Sequence, residues 1–386
     1  MERSRVGRHA GTAGRQARAV PGHRLPAHLL RLPGAVGHRD AGAHHRRGEA
    51  SPARPPAGRC AVSATGESTA PSAVGGERVR FGALCWNQYT DWRSLGEAGV
   101  RADRLGFDSV WTWDHLYPII GNADGPILEG WLTLAGWAVT TERVRLGLMV
   151  GANTFRNPAL VAKMAATLDH ISRGRAVLGI GGAWFETEHT AYGVEFGGSP
   201  GERLRWLDEA ARIMRGMLDG HRPSGDRYYR AREVRLDPAP VQRRLPLLIG
   251  GGGERRTLRT VARYADASNF GGSVENVRRK DEVLRRHCVE VGRDTQAIER
   301  TVGTGVMIIR EDPAEARRVL ERTFEQNGRA RLWTDQPVGT VEMVVERLRR
   351  YMALGIRHFI VGFPAPYDAE TMERVVTEVK PALEAA

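Results

Sequence analysis

Apolar runs alternating with amphipathic stretches predict an α/β protein, a TIM-like (β/α)8 barrel with insertions. Three observations carry this. From Val79 onward, about eight short apolar runs each give way to a segment of helical periodicity. The runs are continuously apolar rather than alternating, as parallel strands covered on both faces require. Glycine or polar residues follow most of the runs, at the end where a barrel of this kind opens its site.

The first strand is expected at Val79–Cys85, followed by a polar turn at 87–91 and a helix that Gly106 stops as a C′ glycine. Phe107–Trp113 reads as the second strand and Glu129–Thr141 as a helix. The third strand is expected at Val144–Val150, and its helix at Pro158–Ile171, with the proline in the first turn. Arg175–Ile180 is the fourth strand, with a loop through Trp184 and His189 before a helix from about Glu202 to Leu218. The prolines and glycine between Asp219 and Gln242 mark an excursion outside the repeat. Leu245–Ile249, Ala267–Phe270, Thr301–Ile309 and Arg357–Phe363 complete the strands. Helices are expected at Glu254–Ala265, Val274–Val291, Ala314–Gln326 and Val341–Leu354.

Residues 1–76 follow a different grammar. They carry 12 arginines, no lysine and four acids, a surplus of eight out of the chain's +12. With few aliphatic or aromatic residues, such a segment does not bury enough surface to offset its ordering entropy. It reads as a disordered or artefactual extension, with a transit-like segment as the alternative, and residues 77–386 form the barrel. The remaining surplus of four is ordinary for a domain of that size and is not a nucleic-acid footprint. No apolar run reaches the length of a membrane span. Three cysteines without a C-x-x-C pair point to free thiols in a reducing cytoplasm.

At the strand ends, Asp114-His115 pairs a carboxylate with an imidazole, a group suited to relaying protons; the alternative is a turn cap beside a satisfied loop histidine. Gly250–Gly253 ahead of a helix with Arg255 and Arg256 suits a phosphate, or is a flexible turn. Glu186, Glu188 and His189 lack the further His or Cys that a metal site needs, so no metal is expected. Trp86, Trp113 and Trp184 stand where they could line an apolar pocket, whereas Trp111 reads as core.

The stretches LGFDSVWTWDHL (105–116), RLGLMVGANTFRNPALVAKMAATLDHISRGRAVLGIGGAWFETEHTAYG (145–193), PLLIGGGGERRTLRTVARYADASN (246–269) and VGTVEMVVERLRRYMALGIRHFIVG (338–362) resemble the luciferase-like monooxygenase superfamily, in particular its coenzyme F420-dependent oxidoreductases. The resemblance implies a bacterial luciferase-like barrel with a deazaflavin at its mouth and hydride transfer to or from a small molecule. It implies His115 as proton donor or acceptor, with Asp114 close to the ring. Behind the ring it implies a non-proline cis peptide near Met149-Val150, with Val150-Gly151 as the neighbouring option, and it implies a cofactor cradle of Met149, Val150, Gly151, Asn153, Gly181, Gly182, Gly251, Gly252 and Gly253. The sugar-phosphate branch resembles this chain less after the fourth strand, where Trp184 replaces a glutamate, so an apolar or aromatic substrate is expected. FMN with a partner reductase is the alternative cofactor system, and a homodimer stays open. A non-catalytic nucleic-acid role for the basic tail ranks last, because that tail lacks aromatics for base stacking.

Overall fold

The computed structural model describes residues 78–225, 227–328 and 336–385; the expectations for residues 1–76 lie outside them. Eight parallel strand positions close on themselves. They are β1 (Arg80–Cys85), β2 (Ser109–Thr112), β3 (Arg145–Leu148) continued by β4 (Gly151–Ala152), β5 (Ala176–Gly181), β6 (Leu247–Gly250), β7 (Ala267–Gly271), β8 (Glu299–Val306) and, last in the chain, β11 (His358–Phe363). Closure comes at β3 and β5, where Leu146 and Gly147 pair with Ala176 and Val177, and at β1 and β11.

Helices α1 (Trp92–Leu105), α2 (Gly130–Thr140), α3 (Pro158–Ile171), α4 (Glu186–Tyr192), α5 (Pro200–Leu218), α6 (Thr257–Tyr264), α7 (Val274–Glu290), α8 (Pro313–Gln326), α9 (Val341–Met352), α10 (Ala369–Arg374) and α11 (Lys380–Glu384) fill the connections and the C-terminus. Local chemistry sets many of their starts. Asp91, Glu129, Asn157 and Ser199 each accept a backbone N–H of the first turn, and Pro158 and Pro200 occupy positions where no donor is needed. No helix among the described residues is long and apolar enough to cross a membrane.

Two apolar layers hold the barrel. Inside it, Trp111, Val177, Leu248, Ala267 and Ile360 pack together. The Trp111 indole lies where a side chain on Gly82 or Gly147 would clash, since an added Cβ would stand 2.6 Å or 2.5 Å from it. Trp111 is thus the core residue its sequence suggested. The larger layer lies between strands and helices.

Four expectations need correction. The third strand is not continuous: the Met149–Val150 peptide is cis, and the strand resumes as β4 on the same partner, β5. The seventh strand breaks at Met307, and Ile308–Ile309 (β9) pairs with Val338–Gly339 (β10) outside the barrel. The expected loop around His189 contains α4, whose start has no side-chain cap to announce it. Gly250–Gly253 do not open α6 directly, because a turn at Glu254–Arg256 separates them from Thr257.

Candidate active site

The strand ends converge on a constellation centred on His115, three residues beyond the end of β2. Its Nδ1 lies 2.9 Å from Oε1 of Glu188, on α4. The other oxygen of Glu188 accepts the backbone N–H of Leu116 at 2.8 Å. A carboxylate accepts only, so Nδ1 carries the proton and Nε2 is left as the exchangeable position. Glu188 is buried; its two hydrogen bonds are what make that burial tolerable for a charge.

Asp114 points elsewhere. It is buried, accepts the Ala152 N–H at 3.1 Å, and meets Nη1 of Arg156 at 2.8 Å and 3.0 Å. The same guanidinium reaches Glu129, the N-cap of α2, at 2.9 Å. Burial pushes the Asp114 carboxyl up, and Arg156 opposes that. Through these contacts Asp114 ties the ends of β2 and β4 to α2, with both carboxyl oxygens engaged.

The residues that the resemblance marks as a cradle lie at neighbouring strand ends. The Val150 side chain lies across the ends of β5 and β6, and an added Cβ would stand 2.6 Å from it at Gly181 and 2.9 Å at Gly250. At Gly179 an added Cβ would meet the Leu148 carbonyl oxygen. Glycine is needed there because backbone and Val150 leave no room. Gly251 adopts φ +117°, a conformation open to glycine. Among the described residues, the backbone N–H groups of Gly182, Gly252 and Gly253 have no protein acceptor. Clustered, uncommitted N–H donors at strand ends suit a phosphate. Asn153 is held in place, its backbone N–H on the Gly181 carbonyl at 3.1 Å and its own carbonyl accepting the Tyr229 hydroxyl at 2.7 Å. Met149 and Val150 pack at the inner edge of the barrel core.

The tryptophans divide. Trp86 and Trp113 are buried against each other, ring centroids 4.7 Å apart, in a cluster with Phe324, Val306 and Leu320. Both are packed rather than exposed in this structure. Trp184 is 62% exposed, stacks on Phe185 at 5.4 Å and meets the His115 ring edge-on at 5.6 Å.

His189 is accounted for without a metal. Its Nδ1 faces the Phe185 carbonyl at 2.8 Å, so it donates there, and Nε2 accepts from the Thr154 hydroxyl at 2.7 Å. Two partnerships escaped the sequence reading, which weighed Glu188 only as a metal ligand and did not consider Tyr229. Glu188 meets His115 across 73 residues, a relationship that no local pattern encodes. Tyr229, in the excursion after α5, reaches back to Asn153, and burial pushes its hydroxyl up to about 12, so it stays a neutral donor. Its aromatic character inside a polar stretch was the one available hint.

A closed parallel barrel with its polar groups, open glycines and a fixed imidazole gathered at one mouth is the arrangement of a barrel enzyme. The chain matches the luciferase-like monooxygenase family over residues 70–336 and belongs to it. It is 30% identical over 337 residues to an F420-dependent glucose-6-phosphate dehydrogenase of Intrasporangium calvum, covering 75% of this chain and 95% of that protein. Its fold matches an F420-dependent secondary alcohol dehydrogenase solved with an F420-acetone adduct, with TM-score 0.69, 20% identity and coverage of 79% and 99%. It also matches a long-chain alkane monooxygenase, with TM-score 0.67, 16% identity and coverage of 80% and 92%.

Proposed function

We propose that this chain is a coenzyme F420-dependent oxidoreductase acting on an apolar or aromatic small molecule at the C-terminal mouth of the barrel. The observation that carries the reading is the His115–Glu188 pair, set beside uncommitted N–H donors at the ends of β5 and β6. The relatives named as F420-dependent dehydrogenases, matched over nearly their full length, favour deazaflavin over FMN. The cytoplasm suits the free thiols Cys85 and Cys288, both buried.

When bound, the deazaflavin supplies or takes up the hydride. Gly182, Gly252 and Gly253 would hold its phosphate through backbone N–H groups, and Val150 would back its ring. His115 gives a proton to, or takes one from, the substrate heteroatom through Nε2, while Glu188 keeps Nδ1 protonated and stabilises the imidazolium. The Asp114–Arg156–Glu129 clasp fixes the strand end from which His115 projects. Trp184 and Phe185 offer an apolar face next to that imidazole, which is the support for an apolar or aromatic substrate.

Titration of the full-length protein with oxidised F420 and with FMN, followed by fluorescence and calorimetry, tests the cofactor. Binding of F420 without FMN supports the reading. Tight binding of FMN alone, with substrate-dependent oxygen consumption, replaces it with a monooxygenase fed by a reductase. Turnover of glucose 6-phosphate would remove the apolar-substrate element.

A further inference from the structure

We propose that His189 is a positioning residue for the proton step at His115, holding α4 where Glu188 reaches the imidazole; the inference rests on the function proposed above. Helix α4 has seven residues, of which only Glu188 and His189 are buried. Gly182 to Phe185 link it to β5, and no side chain caps its start. A helix this short is not stable on its own, and this one puts no aliphatic side chain into the core. Its placement falls to the two buried polar side chains.

The two reach different parts of the barrel rim. Glu188 turns to the loop after β2, where it meets His115 Nδ1 and the Leu116 N–H. His189 turns to the segment after β4, where its Nε2 accepts the Thr154 hydroxyl at 2.7 Å. Its ring lies against those of Phe155 and Phe196, with centroids 4.7 Å away in each case. Thr154 stands on fixed ground, because the adjacent Asn153 is bonded to the Gly181 carbonyl and to the Tyr229 hydroxyl. The imidazole of His189 thus fastens α4 to the rigid end of β4.

The two attachments differ in kind. The Glu188 contact changes strength as His115 gains and loses a proton, so by itself it would let α4 shift during the reaction. The His189 contact does not change, since that ring is fully buried and both its nitrogens are engaged. Its Nδ1 also donates to the Phe185 carbonyl at 2.8 Å, which fixes the turn carrying Trp184 and Phe185. Those two rings stand 5.6 Å and 6.2 Å from the His115 ring, centroid to centroid. One imidazole therefore sets both the carboxylate and the aromatic wall beside the other.

The test follows the Nδ1 proton of His115 by NMR of the full-length chain carrying isotope-labelled histidine, its signal assigned with His115→Asn. Thr154→Val removes the hydroxyl that holds His189 at nearly constant volume, and Thr154→Ser keeps it. Exchange of the His115 proton with water is expected to be roughly tenfold faster in Thr154→Val, and native-like in Thr154→Ser. His358, whose Nδ1 meets Glu299 at the far end of the barrel, is the internal control and should not change. His189→Asn should reproduce the acceleration, but it also opens a cavity, so the decision rests on the Thr154 pair. Titration with oxidised F420 accompanies each variant and should give the native affinity. Unchanged exchange at His115 in Thr154→Val overturns the inference, as does Thr154→Ser exchanging as fast as Thr154→Val. Equal acceleration at His115 and His358 shows general loosening and overturns it too. In these cases F420 binding by the native chain leaves the proposed function standing, whereas a native chain that does not bind F420 sinks that function and the inference with it.

Discussion

Oε1 of Glu188, on the short helix α4, stands 2.9 Å from Nδ1 of His115 at the end of a strand 73 residues earlier in the chain. The contact sets which ring nitrogen exchanges a proton, and it couples the imidazole to a buried negative charge. Replacing His115 by Asn is expected to spare cofactor binding and to lower kcat by roughly 10² or more. Glu188→Gln keeps an acceptor for Nδ1 but removes the charge that favours the imidazolium. The variant should then turn over more slowly, with KM changed less than kcat. A kcat equal to that of the native enzyme would show that Glu188 serves packing alone.

The sequence displayed the repeat well and the site less well, for physical reasons. Strand positions and most helices were legible because burial on both faces and helical periodicity are written residue by residue, as in Ala176–Gly181 and Pro158–Ile171. The break in β3 was not legible from apolar pattern, since Met149 and Val150 are as apolar as the strand they interrupt; only the family resemblance placed a cis peptide there. His115 was singled out by its strand-end position. The partners that define its neighbourhood are long-range: Glu188 on His115, Arg156 on Asp114, Tyr229 on Asn153. Local periodicity cannot report such pairs, nor that Trp86 and Trp113 share a buried cluster with Phe324 of α8.

Val150 and the glycines around it make a second prediction. An added Cβ at Gly181 would stand 2.6 Å from Val150 Cγ2, whereas at Gly179 it would stand 2.0 Å from a backbone carbonyl oxygen. A side chain can be trimmed and a carbonyl in the ladder cannot. Gly181→Ala is expected to cost about 1–3 kcal/mol through overpacking, and Val150→Ala in the same chain should recover much of it. Gly179→Ala should be worse and insensitive to Val150→Ala. Thermal unfolding of the three single and two double variants measures both claims. Additive effects at positions 150 and 181 would mean that the two residues do not compete for the same space.

A carboxylate at the opposite end of the barrel makes a prediction about acid stability. At the start of β8, Glu299 meets His358 Nδ1 at 2.5 Å and Arg80 at 2.9 Å. Burial pushes the Glu299 carboxyl up, but the His358 imidazole, Arg80 and Arg145 outweigh it and hold the group at about 2, against 4.5 for a free glutamate. A carboxylate with a depressed folded-state value binds protons more readily in the unfolded chain. Its contribution is therefore fully present above about pH 4.5 and is lost as pH falls from there through about 2. The shift corresponds to no more than about 3 kcal/mol, less after solvent screening of the partly exposed Arg80. Glu299→Gln should lower the denaturation midpoint at pH 7 and flatten the stability curve between pH 5 and 2, while leaving the pH–rate profile set at the far mouth unchanged. If native and variant chains lose stability in parallel across that window, other carboxylates drive acid unfolding and this cluster at the barrel floor does not.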